Sequence, residues 1–285
     1  MIFCGVLKTT QCIEINCSNL EKRYIWKEMY YVCHSKGLVI ETANVSISDV
    51  KAAHMPGKTN KDVTSVQISN QITKFLPIGL KIHFPNIKDL QIGSSLLSHI
   101  QSSDFSDLLN LEVLNLIRNP IKSIPEDCFN GMKSLEILSI SSCEIKELHK
   151  NTFRDLVNLK KLWLRENQLE RLDGSLFATN AKLEELILYQ NKLHLVGNQL
   201  LTPLKALKVA DFRYNPCTNK RTPDDVTMQE LTHHIQLNCR PTFDESASIE
   251  DTIKLQTQTI AQMTSELKEA NLKIKELLSQ IEKQK

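Results

Sequence analysis

Four absences bound what this chain of 285 residues can do. No stretch approaches the roughly 18 apolar residues that a membrane-spanning helix requires, so no span is expected. Lys and Arg number 35 against 33 Asp and Glu, a formal net charge of +2, and no long basic run appears. The electrostatic footprint of a nucleic-acid binder is missing. So are a Gly-rich phosphate loop, a His-Glu-x-x-His pair and a Ser or Cys in a nucleophile motif. The adjacent acids Glu184 and Glu185 have nothing beside them to drive their two carboxyl pKa values apart. Neither catalysis nor a cofactor or metal is expected, and the chain reads as a binding protein.

What the chain has is a period. Apolar stretches begin at Val63, Ile87, Leu111, Leu135, Leu159, Leu183 and Leu207, each 24 residues after the last. Five follow LxxLxLxxNxL closely, as in Leu159-Leu162-Leu164-Asn167-Leu169, with Cys143 in place of the Asn in the stretch that begins at Leu135. Such a period predicts an α/β repeat: a leucine-rich-repeat solenoid of seven 24-residue coils over 63–216. In each coil the second and third apolar residues alternate about a short strand, and the Asn turns inward to serve backbone groups that cannot reach water. Phe105, Phe129, Phe153 and Phe177 recur later in the coil and are expected to stack inside its convex side. Gln71 and Ser95 hold the Asn position of the first two coils, which are degenerate as coils near a cap are.

A coil buries its apolar face only against neighbours, so both ends need covers. Six of the eight cysteines lie outside the regular repeats, where disulfide-stapled caps would need them. We pair Cys17 with Cys33 and Cys217 with Cys239, which places caps at 17–62 and 217–240. Cys143 and Cys128 are expected as buried thiols. A zinc site on Cys12, Cys17, Cys33 and His34 is the competing use, and its spacing lacks two tidy ligand pairs. The run Thr222-Pro223-Asp224-Asp225 predicts a cap helix with Thr222 as N-cap, turning Val226, Leu231 and Ile235 toward the open end. Residues 1–16 read as an atypical or truncated leader containing Cys4 and Cys12, and Asn16 and Asn44 open glycosylation sequons.

Four groups of residues carry a family resemblance: Cys17, Trp26, Tyr31 and Cys33; the run His54-Met55-Pro56-Gly57-Lys58-Thr59-Asn60-Lys61-Asp62-Val63; Phe75-Leu76-Pro77-Ile78-Gly79-Leu80; and Phe84-Pro85-Asn86-Ile87. Through them the segment from Cys17 to Leu116 resembles the N-terminal region of secreted insect leucine-rich-repeat proteins. With repeats, cap and tail added, the order of parts is similar to that of the mosquito leucine-rich-repeat immune proteins. The resemblance implies secretion into haemolymph, a coiled coil after the repeats, and binding of other proteins, complement-like thioester proteins among them.

The tail from Ser246 has no Gly, Pro, Cys or aromatic residue. Ile253, Ile260, Leu267, Ile274 and Ile281 recur every seven residues, with Met263 and Leu277 among the residues three further on. This seam predicts a coiled-coil helix over 246–285 that makes a homodimer or a heterodimer. The concave sheet is the expected ligand face. Trp163 and Ile187 stand at outward strand positions, with Arg165, Tyr189, Arg213 and Tyr214 at the strand ends. Trp, Tyr and Arg are the residue types of interface hot spots, so this group is the predicted site for a protein partner; the alternative is that Trp163 lies flat over Ile187 and Lys161 as sheet decoration. The row Glu136, Lys160, Glu184 and Lys208 reads as cross-strand pairing. The expected role is extracellular, in innate immune recognition. An adhesion or developmental receptor ligand and a cytoplasmic scaffold are the alternatives.

Overall fold

The computed structural model describes residues 11–25, 28–239 and Thr264. The chain divides into two units, Met1–Thr242 and Phe243–Lys285. The predicted tail seam of Ile253, Ile260, Met263, Leu267, Ile274, Leu277 and Ile281 lies outside the described residues.

In the first unit a single sheet of eleven strands runs from one cap to the other. Its central strands are short and parallel: Asp89–Gly93, Val113–Asn115, Ile137–Ser139, Lys161–Trp163, Glu185–Ile187 and Val209–Asp211. Asp89 pairs with Val113, Val113 with Ile137, Ile137 with Lys161, Lys161 with Glu185, and Glu185 with Val209. Equivalent residues of successive coils therefore stand side by side. Because side chains alternate across a strand, Leu114, Leu138, Leu162, Leu186 and Ala210 all turn inward and are fully buried.

The far side of the core is the phenylalanine series. Phe105, Phe129, Phe153 and Phe177 stack with ring centroids 5.8, 6.4 and 5.9 Å apart. The convex side departs from the α/β expectation, since it is built of turns. The described α-helices are only Leu80–His83 and Met228–Asn238, with 3-10 turns at Asn60–Asp62 and Ser102–Asp104. A 24-residue coil needs most of its length for the strand, the inner turn and the Phe-bearing turn. Too few residues remain to pass the costly nucleation of an α-helix.

Each coil leaves its strand through a left-handed residue. Asn70, Ser94, Arg118, Ser142, Glu166, Gln190 and Tyr214 have φ between 51° and 57°, a conformation that costs a non-glycine residue roughly 1–2 kcal/mol. The next residue in each case is the inner-turn residue, whose side-chain hydrogen bonds hold the bend closed. Asn119, for example, donates to the carbonyls of Ile92 and Leu116 and accepts from the Leu97 N–H.

At the N-terminal end, Cys12–Ile25 and Glu28–Lys36 form an antiparallel hairpin, and Glu28–Lys36 runs parallel to Ser65–Ser69. Cys17 is bridged to Cys33 with Cα atoms 5.0 Å apart, so these sulfurs are not zinc ligands. Ser46–Ala52 closes the sheet parallel to the first strand, and its exposed Asp49 and Lys51 put charge on an otherwise pairing-competent edge. The cap reaches further back than the sequence indicated. Its first strand begins at Cys12, inside the stretch read as a leader, and Cys12 is itself disulfide-bonded.

At the other end Cys217 is bridged to Cys239, with Cα atoms again 5.0 Å apart. The cap helix Met228–Asn238 starts later than predicted, and its N-cap is Thr227. Thr227 Oγ1 accepts the Glu230 N–H at 3.2 Å while the Glu230 carboxylate accepts the Thr227 N–H at 2.8 Å. This reciprocal box satisfies two end donors at once, which Thr222 followed by Asp225 does not match. Thr222 instead lies in the last strand, Arg221–Thr222, antiparallel to Val209–Asp211, and its Oγ1 accepts the Ala210 N–H at 2.9 Å. Leu231 and Ile235 are buried against the core as expected, and Val226 packs there from the turn before the helix. Cys128 and Cys143 are free thiols in the interior. Burial raises both above the ordinary thiol pKa, Cys143 to about 11; for Cys128 the charges of Asp104 and Asp127 add to burial.

Candidate binding face on the concave sheet

Strand register builds the face. It sets Asn115, Ser139, Trp163, Ile187 and Asp211 side by side across five strands, and two residues further along each chain stand Ile117, Ser141, Arg165, Tyr189 and Arg213. Of the predicted group, Trp163, Arg165, Ile187 and Arg213 line one pocket of about 430 Å³, together with Ser139, Ser141, Asp211 and Arg221. Tyr189 and Tyr214 stay out of that lining. They meet edge to face beside it with centroids 5.0 Å apart, and the Arg213 guanidinium lies 5.7 Å from the Tyr189 ring.

Trp163 is half-buried and held in place. Its Nε1 donates to Glu185 Oε1 at 2.8 Å. Lys161 Nζ sits 5.9 Å from the ring centroid and 3.3 Å from Glu185 Oε2, so both carboxylate oxygens of Glu185 are engaged. The indole is an anchor whose rotamer is fixed before any partner arrives, which lowers the entropy lost on binding.

Charge on this face is mostly answered within the chain. Lys88 pairs with Glu112 at 2.8 Å, Lys160 with Glu136 at 2.7 Å and Lys208 with Glu184 at 2.6 Å, half-exposed pairs of the kind that contribute at most about 1 kcal/mol each. Asp211 is almost fully buried and receives Arg213 through Nε at 3.0 Å and Nη2 at 2.7 Å. That two-pronged hydrogen bond raises the Arg213 pKa above its already high ordinary value. Arg221 adds an Nε contact to Asp211 at 3.6 Å and an ion pair with Asp224. Arg165 differs from these. It is exposed and enters none of the ion pairs of the face.

Toward the N-terminal end the same face carries a buried acid. Asp89 is fully covered; its Oδ2 accepts from Ser65 Oγ at 2.6 Å and from Gln91 Nε2 at 2.9 Å, while Oδ1 has no partner. Burial outweighs those two bonds and pushes the carboxyl up to about 6. Spacing puts Asp89 and Ser139 at outward strand positions without marking either as special, and singles out neither Arg221 nor Ser141. Ser139 and Ser141 left a faint signal, because two small residues at adjacent outward positions stand next to a Trp. Of the sequon residues, Asn44 is exposed on a turn at φ 62° and Asn16 is exposed within the first strand. Among the described residues no helix is long and apolar enough to cross a membrane.

Comparison with known proteins agrees with the fold. The leucine rich repeat family model matches residues 85–145, 110–169 and 133–193. No curated protein matches the chain. Among solved structures, that of the LRIM1/APL1C complex is similar over 71% of this chain at 21% identity with a TM-score of 0.57, and the APL1 leucine-rich repeat domain over 72% at 21% identity and 0.57. The TLR13–ssRNA13 complex is similar over 56% at 25% identity and 0.52. This chain spans 35%, 49% and 23% of the length of those three chains. From residue 85 to residue 193 the chain is thus made of leucine-rich repeats, and it shares its fold with these structures.

Proposed function

We propose that the chain is an extracellular protein-binding module of insect innate immunity, with its partner seated on the concave sheet around Trp163. The observation that carries the binding role is the pocket of about 430 Å³ into which register gathers Trp163, Arg165, Ile187 and Arg213. The bridges Cys17–Cys33 and Cys217–Cys239 support an oxidising compartment over a cytoplasmic scaffold, and exposed Asn16 and Asn44 suit glycosylation on the secretory route. The insect assignment follows the residue runs of the N-terminal region that resemble secreted insect proteins, and the immune assignment follows the order of repeats, cap and tail, which resembles that of the mosquito leucine-rich-repeat immune proteins. In this reading seven 24-residue coils over 63–216 present the face, and the heptad of 246–285 joins two chains.

The test uses protein captured from haemolymph together with its bound partner. Trp163→Ala should weaken that complex by about 2 kcal/mol or more, roughly 30-fold in Kd, with an unchanged melting midpoint. Lys88→Ala, on the same face but in a satisfied ion pair, is the control and should change affinity less than about threefold. Equal small effects of the two substitutions would move binding off the concave sheet.

A further inference from the structure

The pocket has a polarity that the proposed binding role does not by itself require. In the row Asn115, Ser139, Trp163, Ile187, Asp211, the small residue is Ser139, and in the row two residues on it is Ser141. The two serines make a notch between Ile117 on one side and Trp163 with Arg165 on the other. Its floor is polar. Ser139 Oγ donates to Ser141 Oγ at 3.5 Å and Ser141 Oγ donates to the Trp163 carbonyl at 3.2 Å, while both residues are nearly inaccessible.

Every anion lining this pocket is already saturated. Glu185 is held by Trp163 and Lys161, and Asp211 by Arg213 and Arg221. Of the three cations in the lining, Arg165, Arg213 and Arg221, only Arg165 has no carboxylate within the pocket. The notch is therefore a slot with apolar flanks at Ile117 and Trp163, a floor of internally bonded serine hydroxyls and one uncommitted guanidinium at its rim. A guanidinium fork recognises a carboxylate through two parallel hydrogen bonds.

Resting on the binding role above, we propose that the notch takes an acidic residue next to an aliphatic or aromatic one in an exposed segment of the protein partner. The carboxylate pairs with Arg165, and the apolar side chain lies over Ser139 between Ile117 and Trp163. Ile117 and Ile187 on both flanks of the indole favour a peptide side chain over an acidic sugar, which would set hydroxyls against them.

The experiment pans a phage library of random dodecapeptides on the full chain and titrates the enriched peptides, with a heparin hexasaccharide in parallel. Enriched sequences should carry Asp or Glu adjacent to Leu, Ile, Val or Phe. Their affinity should fall at least tenfold with Arg165→Ala and with Ser139→Leu, which fills the slot, and should be partly kept with Arg165→Lys. Since Arg165 is exposed, Arg165→Ala remains informative even if Ser139→Leu perturbs the sheet. Peptides without an acid, no enriched peptide at all, or binding of the hexasaccharide alone would overturn the proposal. If Trp163→Ala abolishes peptide binding while Arg165→Ala and Ser139→Leu do not, the concave-face role stands and the acidic notch falls.

Discussion

The coil around Asn167 and the coil around Cys143 meet the same backbone demand with different chemistry. Asn167 works in both directions: Nδ2 donates to the carbonyls of Ile140 at 2.7 Å and Leu164 at 3.1 Å, and Oδ1 accepts the Ile145 N–H of the preceding coil at 3.1 Å. Cys143 serves both directions only weakly: its Sγ lies 3.5 Å from the Leu116 carbonyl and 3.6 Å from that of Ser141 as a donor, and it is a soft acceptor for the backbone N–H groups of Asn119 and Ile121. The Ile121 N–H, with only that soft sulfur to receive it across the coils, also folds back onto the carbonyl of Asn119 at 2.8 Å. Gln71 repeats the two-way task from one methylene further out, accepting from the Leu38 N–H at 2.6 Å and donating to the Ser35 carbonyl at 2.7 Å. The inner-turn residue is thus a stitch between coils, and its value lies in carrying a donor and an acceptor together. Where the acceptor is a weak sulfur, the backbone makes up the difference locally and the stitch to the preceding coil is weaker.

If the two coils differ only at that stitch, their cores should respond alike. Leu164→Ala, at a fully buried inward position of the Asn167 coil, should cost about 2–5 kcal/mol in urea unfolding. Ile140→Ala in the Cys143 coil should match it within about 1 kcal/mol. A larger gap would mean that packing, and not only the turn, separates them.

A second contrast lies at Asp89, in an N-terminal coil. Its carboxyl is raised in the folded chain to about 6 from an ordinary value near 4, so the folded state holds the proton more firmly. The associated stability is complete below about pH 4 and is lost as pH rises through about 6. Asp89→Asn removes that loss while leaving an oxygen for Ser65 and Gln91. Its advantage over the parent should therefore grow from near zero at pH 4 to on the order of 2 kcal/mol at pH 7. A difference independent of pH would show that the buried carboxylate is not the cause.

The smallest expected effect bears on the stitch most directly. Asn167→Ala strands the buried Ile145 N–H and the Ile140 carbonyl, while the Leu164 carbonyl keeps Asn191 Nδ2 at 3.0 Å; it should cost about 2 kcal/mol, whereas Cys143→Ala, with little to lose, should cost less than about 1 kcal/mol. Equal costs would refute the account of the inner turn given above.

Much of the fold was legible because it is periodic. The inward leucines, the phenylalanine stack and the end cysteines all follow from spacing, and each lies where a single side chain has one physical use. The misses occur where two residues compete for a role or where register matters more than identity. Thr222 and Thr227 both suit an N-cap, and only the reach to Glu230 decides between them. The left-handed residues before each inner turn are Asn, Ser, Arg, Glu, Gln and Tyr with no glycine among them, so composition gave no hint. Of the site, Trp163, Arg165, Ile187 and Arg213 were readable as outward positions. The notch was not, because it is made by what Ser139 and Ser141 leave empty beside taller neighbours.

The interior thiols bear on how the ends acquire their bridges. With Cys143 at about 11, only about one folded molecule in ten thousand holds its thiolate at pH 7, and Cys128 is raised as well. Since exchange begins with a thiolate, closing the coils silences both sulfurs and leaves the cap cysteines to pair without interference from the interior. In the open chain they have ordinary reactivity and compete for every partner. The yield of correctly bridged protein should thus depend on a race between solenoid closure and the oxidant, and a milder oxidant early in refolding favours the native pairs.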